Sequence, residues 1–225
     1  MCAGVTWMKY FIGIAPPADI QEQLDDLRRR YPGRHADHIE PHITLIPPAD
    51  CEHAEAWLHA LRTVLKGRAP FSLSLGASAW FGQRTLYLSV LALDRDKSAP
   101  AVPRDPAGAL YQDMPTVAPA GALRHDEPAV DPLRALRQDL IAVTHSWRTA
   151  RGLVSQSEER PFHPHLTLAM LSFGTSYNDM KRLARNADEI GKALPSFAVR
   201  SVRVYARQKT RWERHNDLML DGSVD

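Results

Sequence analysis

Two short stretches of this chain, "PHITL" (41–45) and "PHLTL" (164–168), each set a histidine two residues before a threonine: His42 with Thr44, and His165 with Thr167. In an extended strand residues i and i+2 share a face, so each stretch presents an imidazole beside a hydroxyl. Ile43, Leu45, Leu166 and Leu168 then turn toward an apolar interior. Two histidines facing one another suit phosphoryl transfer near neutral pH. With an unperturbed pKa near 6.5, one can be neutral and act as base while its partner is protonated and acts as acid. The threonine hydroxyls could hydrogen-bond the non-bridging phosphate oxygens as charge develops. The scheme calls for no metal and no cofactor. A single H-x-T is commonplace on a strand; its recurrence, with no longer repeat around either copy, is what points to a shared site.

For the two polar faces to meet, the surrounding elements must carry both strands to one cleft. "KYFIGIAPP" (9–17) is a buried strand stopped by prolines. "ADIQEQLDDLRRRY" spaces Ile20, Leu24, Leu27 and Tyr31 by three and four, with acids early and arginines late, as an amphipathic helix does. "HITLI" (42–46) is a strand. Residues 52–67 form a helix with Trp57, Leu58, Leu61, Val64 and Leu65 on one side and Gly67 as its stop. "FSLSLGASAWF" and "RTLYLSVLAL" alternate at period two about "GQ" and predict an antiparallel hairpin. A helix over 132–152 opens on Asp131 as N-cap and Pro132 at its first position and closes at Gly152. A strand over 165–171, a helix over 176–194 and an alternating strand over 196–207 follow, and "NDLMLDG" could pair with the last. The second half thus resembles the first in kind. Between them, residues 95–131 are dense in Pro and Ala without a sustained period, and predict a mobile insertion or linker.

Composition narrows the class. The 225 residues are 44% hydrophobic and 24% charged, ordinary globular material for one large domain or two small lobes. A net charge of +2 does not by itself announce a polyanion binder, so affinity for nucleic acid would have to come from local arrangement. Two cysteines, Cys2 and Cys51, supply neither a disulfide framework nor a zinc cluster, and the default is a reducing, cytoplasmic setting. No apolar run reaches the roughly 18–20 residues that span a bilayer, and no signal peptide is evident.

"PHITL" together with "RPFHPHLTL", the opening "KYFIGIAPPADIQEQL", the hairpin "WFGQRTLYLSV" and the late strand "VRVYAR" resembles the two-histidine (2H) phosphoesterase superfamily. Within it the likeness is to the bacterial RNA 2′,3′-cyclic phosphodiesterases once called 2′-5′ RNA ligases. The resemblance implies an α+β fold of two pseudo-symmetric lobes, each an antiparallel β-sheet flanked by helices, with the active site in the cleft between them. The whole of 1–225 would then be a single bilobal domain carrying the 95–131 insertion. It implies His42 and His165 as the catalytic pair and Thr44 and Thr167 as the phosphate-binding hydroxyls. The implied reaction opens a 2′,3′-cyclic phosphate at an RNA end to a 2′-phosphate without a metal, with reversible, ATP-independent 2′-5′ RNA joining as a side activity. The implied partners are RNA ends or nucleotides bearing that group, and the protein is expected to act as a monomer. Turnover of 2′-5′ oligonucleotides or small cyclic nucleotides, or binding of an RNA end without turnover, are the alternatives.

Departures and neighbours complete the reading. Relatives often carry an arginine just after the second tetrad, where this chain has "AML" (169–171); Arg84, Arg207 or Arg211 could replace it. Phe81 is a candidate for contact with substrate through base stacking, as are Trp80 and Tyr87, while Tyr10 and Phe11 read as core. His163 and His165 form H-x-H, but no nearby carboxylate or cysteine completes a metal set, and His163 with Pro164 reads as structural. "RHADHIE" (34–40) reads as a polar loop and nothing more.

Overall fold

Alternating apolar and polar residues resolve into eight strands of one antiparallel sheet in a computed structural model that describes residues 8–51, 54–93, 131–149 and 161–221. In chain order the elements begin with β1 (Met8–Ile14), α1 (Ala18–Arg29), the one-turn α2 (His35–His38), β2 (Ile43–Cys51) and α3 (Ala54–Leu65). The hairpin β3 (Phe71–Phe81) and β4 (Thr85–Leu93) and helix α4 (Pro132–Thr149) follow. Then come β5 (His165–Met170), a 3₁₀ turn (Leu171–Phe173), α5 (Tyr177–Ala193), β6 (Phe197–Val199), β7 (Ser201–Gln208) and β8 (Arg211–Met219). Asp131 caps α4 as expected, its Oδ1 accepting from the N–H groups of Leu133 and Arg134 at 3.0 and 3.2 Å. The rest of the 95–131 segment, and Gly152, lie outside the described residues.

The strand order is β6-β3-β4-β5-β2-β1-β7-β8. Neighbouring strands share several paired residues everywhere except at the centre, where β5 and β2 meet at Ile43 and Leu166 alone. That thin join divides the sheet into two four-stranded lobes. Helices α1 and α5 pack on the β6-β3-β4-β5 side, and α3 and α4 on the β2-β1-β7-β8 side. The lobes are not the two halves of the chain. Each takes strands from both, because the expected single strand over 196–207 breaks at Arg200 and its pieces part: β6 extends the β3 edge while β7 pairs with β1. In a flat sheet six strand spacings would hold β6 and β7 roughly 29 Å apart. One intervening residue reaches only about 7 Å, so the sheet must curl.

Two local features support this arrangement. Strand β2 runs through Pro47 and Pro48 to Cys51, past the end expected at residue 46. It can do so because β5 has already diverged, leaving an edge on which missing N–H donors break no ladder. On the other lobe, α5 lies close on a bulge of β3 between Leu75 and Ser78. Asp188 accepts from the Ser78 N–H at 2.7 Å, and a Cβ placed at Gly191 would meet the Gly76 carbonyl oxygen at 2.7 Å. Met180, Leu183 and Ala187 of α5, and Ile20, Leu24 and Leu27 of α1, are fully enclosed. Each large aliphatic side chain so buried contributes about 1.5–3 kcal/mol.

Gly191 makes the sign of one substitution informative. Helix propensity alone favours Gly191→Ala by about 1 kcal/mol, whereas the backbone contact with Gly76 predicts a net loss of roughly 1–3 kcal/mol. Urea unfolding decides between them, and a more stable variant would show that α5 does not seat on the β3 bulge.

Candidate active site

The two H-x-T stretches lie side by side at the join. His42 immediately precedes β2 and His165 opens β5, and Ile43 and Leu166, direct cross-strand partners, are both fully buried. Continuing that antiparallel register sets His42 across from Thr167 and Thr44 across from His165, all four on the face opposite the core. Leu45 and Leu168 turn inward as expected, each 1% exposed. The sheet thus brings the four predicted site residues to one place.

Each imidazole is held in the same way. His42 Nδ1 lies 2.9 Å from the Glu40 carbonyl oxygen, and His165 Nδ1 lies 2.7 Å from that of His163. A carbonyl can only accept, so Nδ1 carries the proton in both rings and Nε2 of the neutral imidazole is left as the basic nitrogen. His42 Nε2 stands 3.1 Å from Thr44 Oγ1, within reach of the hydroxyl proton. His163 therefore serves the second tetrad through its main chain, while its ring is exposed.

Each histidine also rests against a stacked aromatic pair. Phe11 and Tyr205 stack at 4.3 Å and flank His42 at 5.0 and 5.5 Å. Phe81 and Tyr87 stack at 4.2 Å and meet the His165 ring edge-on at 4.8 and 5.3 Å. Of the three hairpin aromatics, Phe81 is the exposed one beside a histidine, Tyr87 is buried beneath it, and Trp80 packs instead with Tyr177. Phe11 is buried as expected, in a second core cluster with Ile39, Tyr205 and Trp212 on the face that carries His42. Tyr10 does belong to the main core.

Burial favours the neutral form of both rings. Burial pushes the His42 pKa down to about 4, with its hydrogen bond to the Glu40 carbonyl opposing and repulsion from the Arg28 guanidinium and from His165 adding to the shift. Burial also lowers His165, against the hydrogen bond from its ring to the His163 carbonyl and with repulsion from the His163 ring.

The segment 34–40 is more than a polar loop. His35 is 7% exposed inside α2, Arg28 donates through Nη2 to the Ile39 carbonyl at 2.7 Å, and His38 Nδ1 lies 2.7 Å from the Thr210 carbonyl of the β7–β8 turn. The Glu40 carboxylate accepts from Tyr205 Oη at 2.8 Å and pairs with Arg203, whose guanidinium also grips Asp217 at 2.7 and 3.0 Å. The residue whose carbonyl orients His42 is thus braced by its own side chain. Period-two alternation in "VRVYAR" could have revealed this, since Arg203, Tyr205 and Arg207 share one face while Val202, Val204 and Ala206 are buried on the other. Helix α4 ties both strands. Arg137 Nε donates to the Leu45 carbonyl at 3.2 Å, where β2 has lost its β5 neighbour, and its guanidinium lies 4.5 Å over the Phe162 ring.

Among the described residues, none of the arginines proposed from sequence hydrogen-bonds to a tetrad side chain. Arg84 sits in the exposed β3–β4 turn, bonded through its backbone to Phe81 and Leu171. Arg211 is exposed at the start of β8, and Arg207 lies 5.3 Å over the Trp212 ring. Among the described residues no three His, Cys, Asp or Glu stand close enough to share a metal ion, and no described helix is long and apolar enough to cross a membrane.

The sequence profile of the 2′-5′ RNA ligase superfamily matches residues 16–211, a span containing both H-x-T stretches. The chain belongs to the 2′-5′ RNA ligase superfamily. That membership supports a phosphodiester-processing role. A protein of Oceanobacillus iheyensis whose name classes it as a phosphoesterase is 36% identical over 87 residues, 37% of this chain and 51% of that one. The match therefore spans about half the length of that curated relative. Crystal structures of E. coli LigT share the superfamily member's fold. The complex with 3′-AMP has a TM-score of 0.54 at 20% identity, covering 96% of this chain and 99% of the other. The complex with ATP has a TM-score of 0.52 at 18% identity over the same shares.

The brace on His42 is testable by Glu40→Ala, which leaves Tyr205 Oη and one side of Arg203 without an acceptor. Because Glu40 and Arg203 are partly solvated, the expected loss of stability is on the order of 1–2 kcal/mol. Glu40→Gln, which retains an acceptor for Tyr205, should recover part of it. Denaturant midpoints of the two variants check this, and an unchanged midpoint for Glu40→Ala would remove the brace.

Proposed function

We propose that the protein hydrolyses 2′,3′-cyclic phosphate at RNA ends to 2′-phosphate, with His42 as general base and His165 as general acid and no metal in the step. The observation that carries the reading is the matched pair of Nδ1-to-carbonyl bonds, which leaves two Nε2 atoms as the proton-handling nitrogens of adjacent strands. His42 Nε2 takes a proton from water as its oxygen bonds to phosphorus, the P–O3′ bond breaks, and His165 Nε2 delivers its proton to the departing 3′ oxygen. Thr44 and Thr167 donate to the non-bridging oxygens, where negative charge builds. With the 5′-hydroxyl of a second RNA in place of water, the same steps join the two through a 2′-5′ linkage, and their reverse cleaves it.

The order of roles follows from charge. Repulsion by the buried Arg28 bears on His42 and favours its neutral form, as a base requires. His165 is free of that repulsion, and the negative phosphate stabilises its protonated form. The likeness in fold to LigT, crystallised with 3′-AMP, supports recognition of a nucleotide end.

Purified protein in excess EDTA should open 2′,3′-cyclic nucleotides to 2′-phosphates; absence of product would sink the reading, and product only with added metal would sink the two-histidine step. His42→Ala and His165→Ala should each remove nearly all turnover with the fold retained by circular dichroism. The pH profile of kcat/KM reports the free protein. It should rise through about pH 4 as His42 loses its proton, and its falling limb should lie at lower pH than an unperturbed histidine would give, as the lowered His165 loses its own. The kcat profile should sit at higher pH, because bound phosphate raises both pKa values.

A further inference from the structure

We propose that Arg207 and Trp212 form a binding strip for single-stranded RNA on the 5′ side of the cyclic end, so that the preferred substrate is an oligonucleotide and not a mononucleotide. The inference rests on the hydrolytic reading above and extends it to the class of substrate. Arg207 and Trp212 are direct cross-strand partners on β7 and β8 and so share a face. Trp212 meets Phe11 edge-on at 4.8 Å, and Phe11 lies 5.0 Å from His42, so two ring contacts lead from the candidate base to the strip. Phe11 and Tyr205 beneath are buried, Trp212 is half-buried, and Arg207 above it is exposed. The strip thus ends in a guanidinium stacked on an indole, with its outer face in solvent.

Such a surface suits RNA for two reasons. A base can continue the stack, which any base can do because each has a π face. The cation can meet the adjoining phosphate. The free charge beside the strip is basic: Lys209 in the β7–β8 turn is exposed, among the described residues no carboxylate pairs with Arg207 or Lys209, and Arg211, paired with Gln208, lies on the other face of the hairpin. Glu213 pairs with Ala206, which faces the core, and so projects to the opposite face. Arg214, two residues beyond Trp212, is tied to Asp217 at 3.0 Å. The mild net charge of +2 conceals this local concentration.

The test pairs binding with turnover. Affinity for a fluorescently labelled RNA decamer ending in a 2′-phosphate is followed by anisotropy over a range of salt concentrations. Rates are then compared for a cyclic-phosphate-ended decamer and a 2′,3′-cyclic mononucleotide. Arg207→Gln should lower the slope of log affinity against log salt by about 0.7, the loss of one phosphate contact on a single strand. Trp212→Ala should weaken decamer binding roughly ten-fold and lower the ratio of decamer to mononucleotide kcat/KM by a similar factor. Should removal of Trp212 unfold the protein, Arg207→Gln with Lys209→Gln carries the same test from the surface. Decamer affinity and salt slope unchanged in the variants would overturn the strip, as would equal losses on decamer and mononucleotide, which would mean that Trp212 acts only through Phe11 on His42. If the wild type opens no cyclic phosphate yet the variants still lose decamer binding, the hydrolytic reading fails and the strip stands.

Discussion

The arrangement of this protein depends on one pair of residues, Ile43 and Leu166, where the two histidine-bearing strands touch before they part. A longer ladder would flatten the join and press the polar faces of β2 and β5 together, leaving no room between the lobes for a substrate. No pairing at all would leave the relative position of His42 and His165 to helix packing alone. One buried aliphatic contact fixes the register, and with it which imidazole faces which threonine, while allowing the sheet to fold about the join. The cost of the divergence is an unpaired main-chain carbonyl at Leu45. Arg137 meets it from α4 while its guanidinium covers Phe162 on the approach to His165, so one side chain spans the opening that the missing ladder leaves.

Around that join the lobes are alike in plan and different in detail. Both rings use Nδ1 on a carbonyl two residues upstream, and both lie against a stacked Phe–Tyr pair. On the His42 side the supporting carbonyl belongs to Glu40, itself anchored by Arg203 and Tyr205. On the His165 side it belongs to His163, whose ring is exposed and whose neighbour Pro164 is held through its carbonyl by the Val90 N–H at 3.3 Å. An anchored, enclosed imidazole resists protonation and reorientation. A looser one beside an exposed phenylalanine can respond to the charge of a ligand. Pseudo-symmetry supplies two similar nitrogens, and the departures from it give them different chemistry.

What could be read in the sequence was whatever depends on local spacing. His42, Thr44, His165 and Thr167 were legible because alternation alone sets them opposite the apolar Ile43, Leu45, Leu166 and Leu168. The helices 18–29 and 177–193 and the β3–β4 hairpin were legible for the same reason. The lobe membership of β7 was not, since its alternating pattern is the same whether it continues β6 or crosses to β1. Everything that hangs on that crossing was hidden with it. Phe11 reads as core, but its place beside His42 appears only when Tyr205 stacks on it, and Glu40 reads as a loop acid until Arg203 arrives from 163 positions away. The prolines at 47 and 48 misled for a related reason: they end a central strand, but β2 is central only as far as β5 accompanies it.

The crossing also explains why the basic strip and the candidate base share a lobe. Once β7 lies beside β1, its outward alternation places Arg203, Tyr205 and Arg207 at successive distances from His42. The first two are drawn into holding the site, and Arg207, two residues further along the strand, projects past the end of that network. The same period-two geometry that hides three apolar residues in the core therefore grades the opposite face from structural support to solvent. A cation at the outer end of that gradient rests on the indole below it and donates through Nε to the Lys209 carbonyl at 3.1 Å, which holds its charge toward whatever chain leaves the cleft along β7.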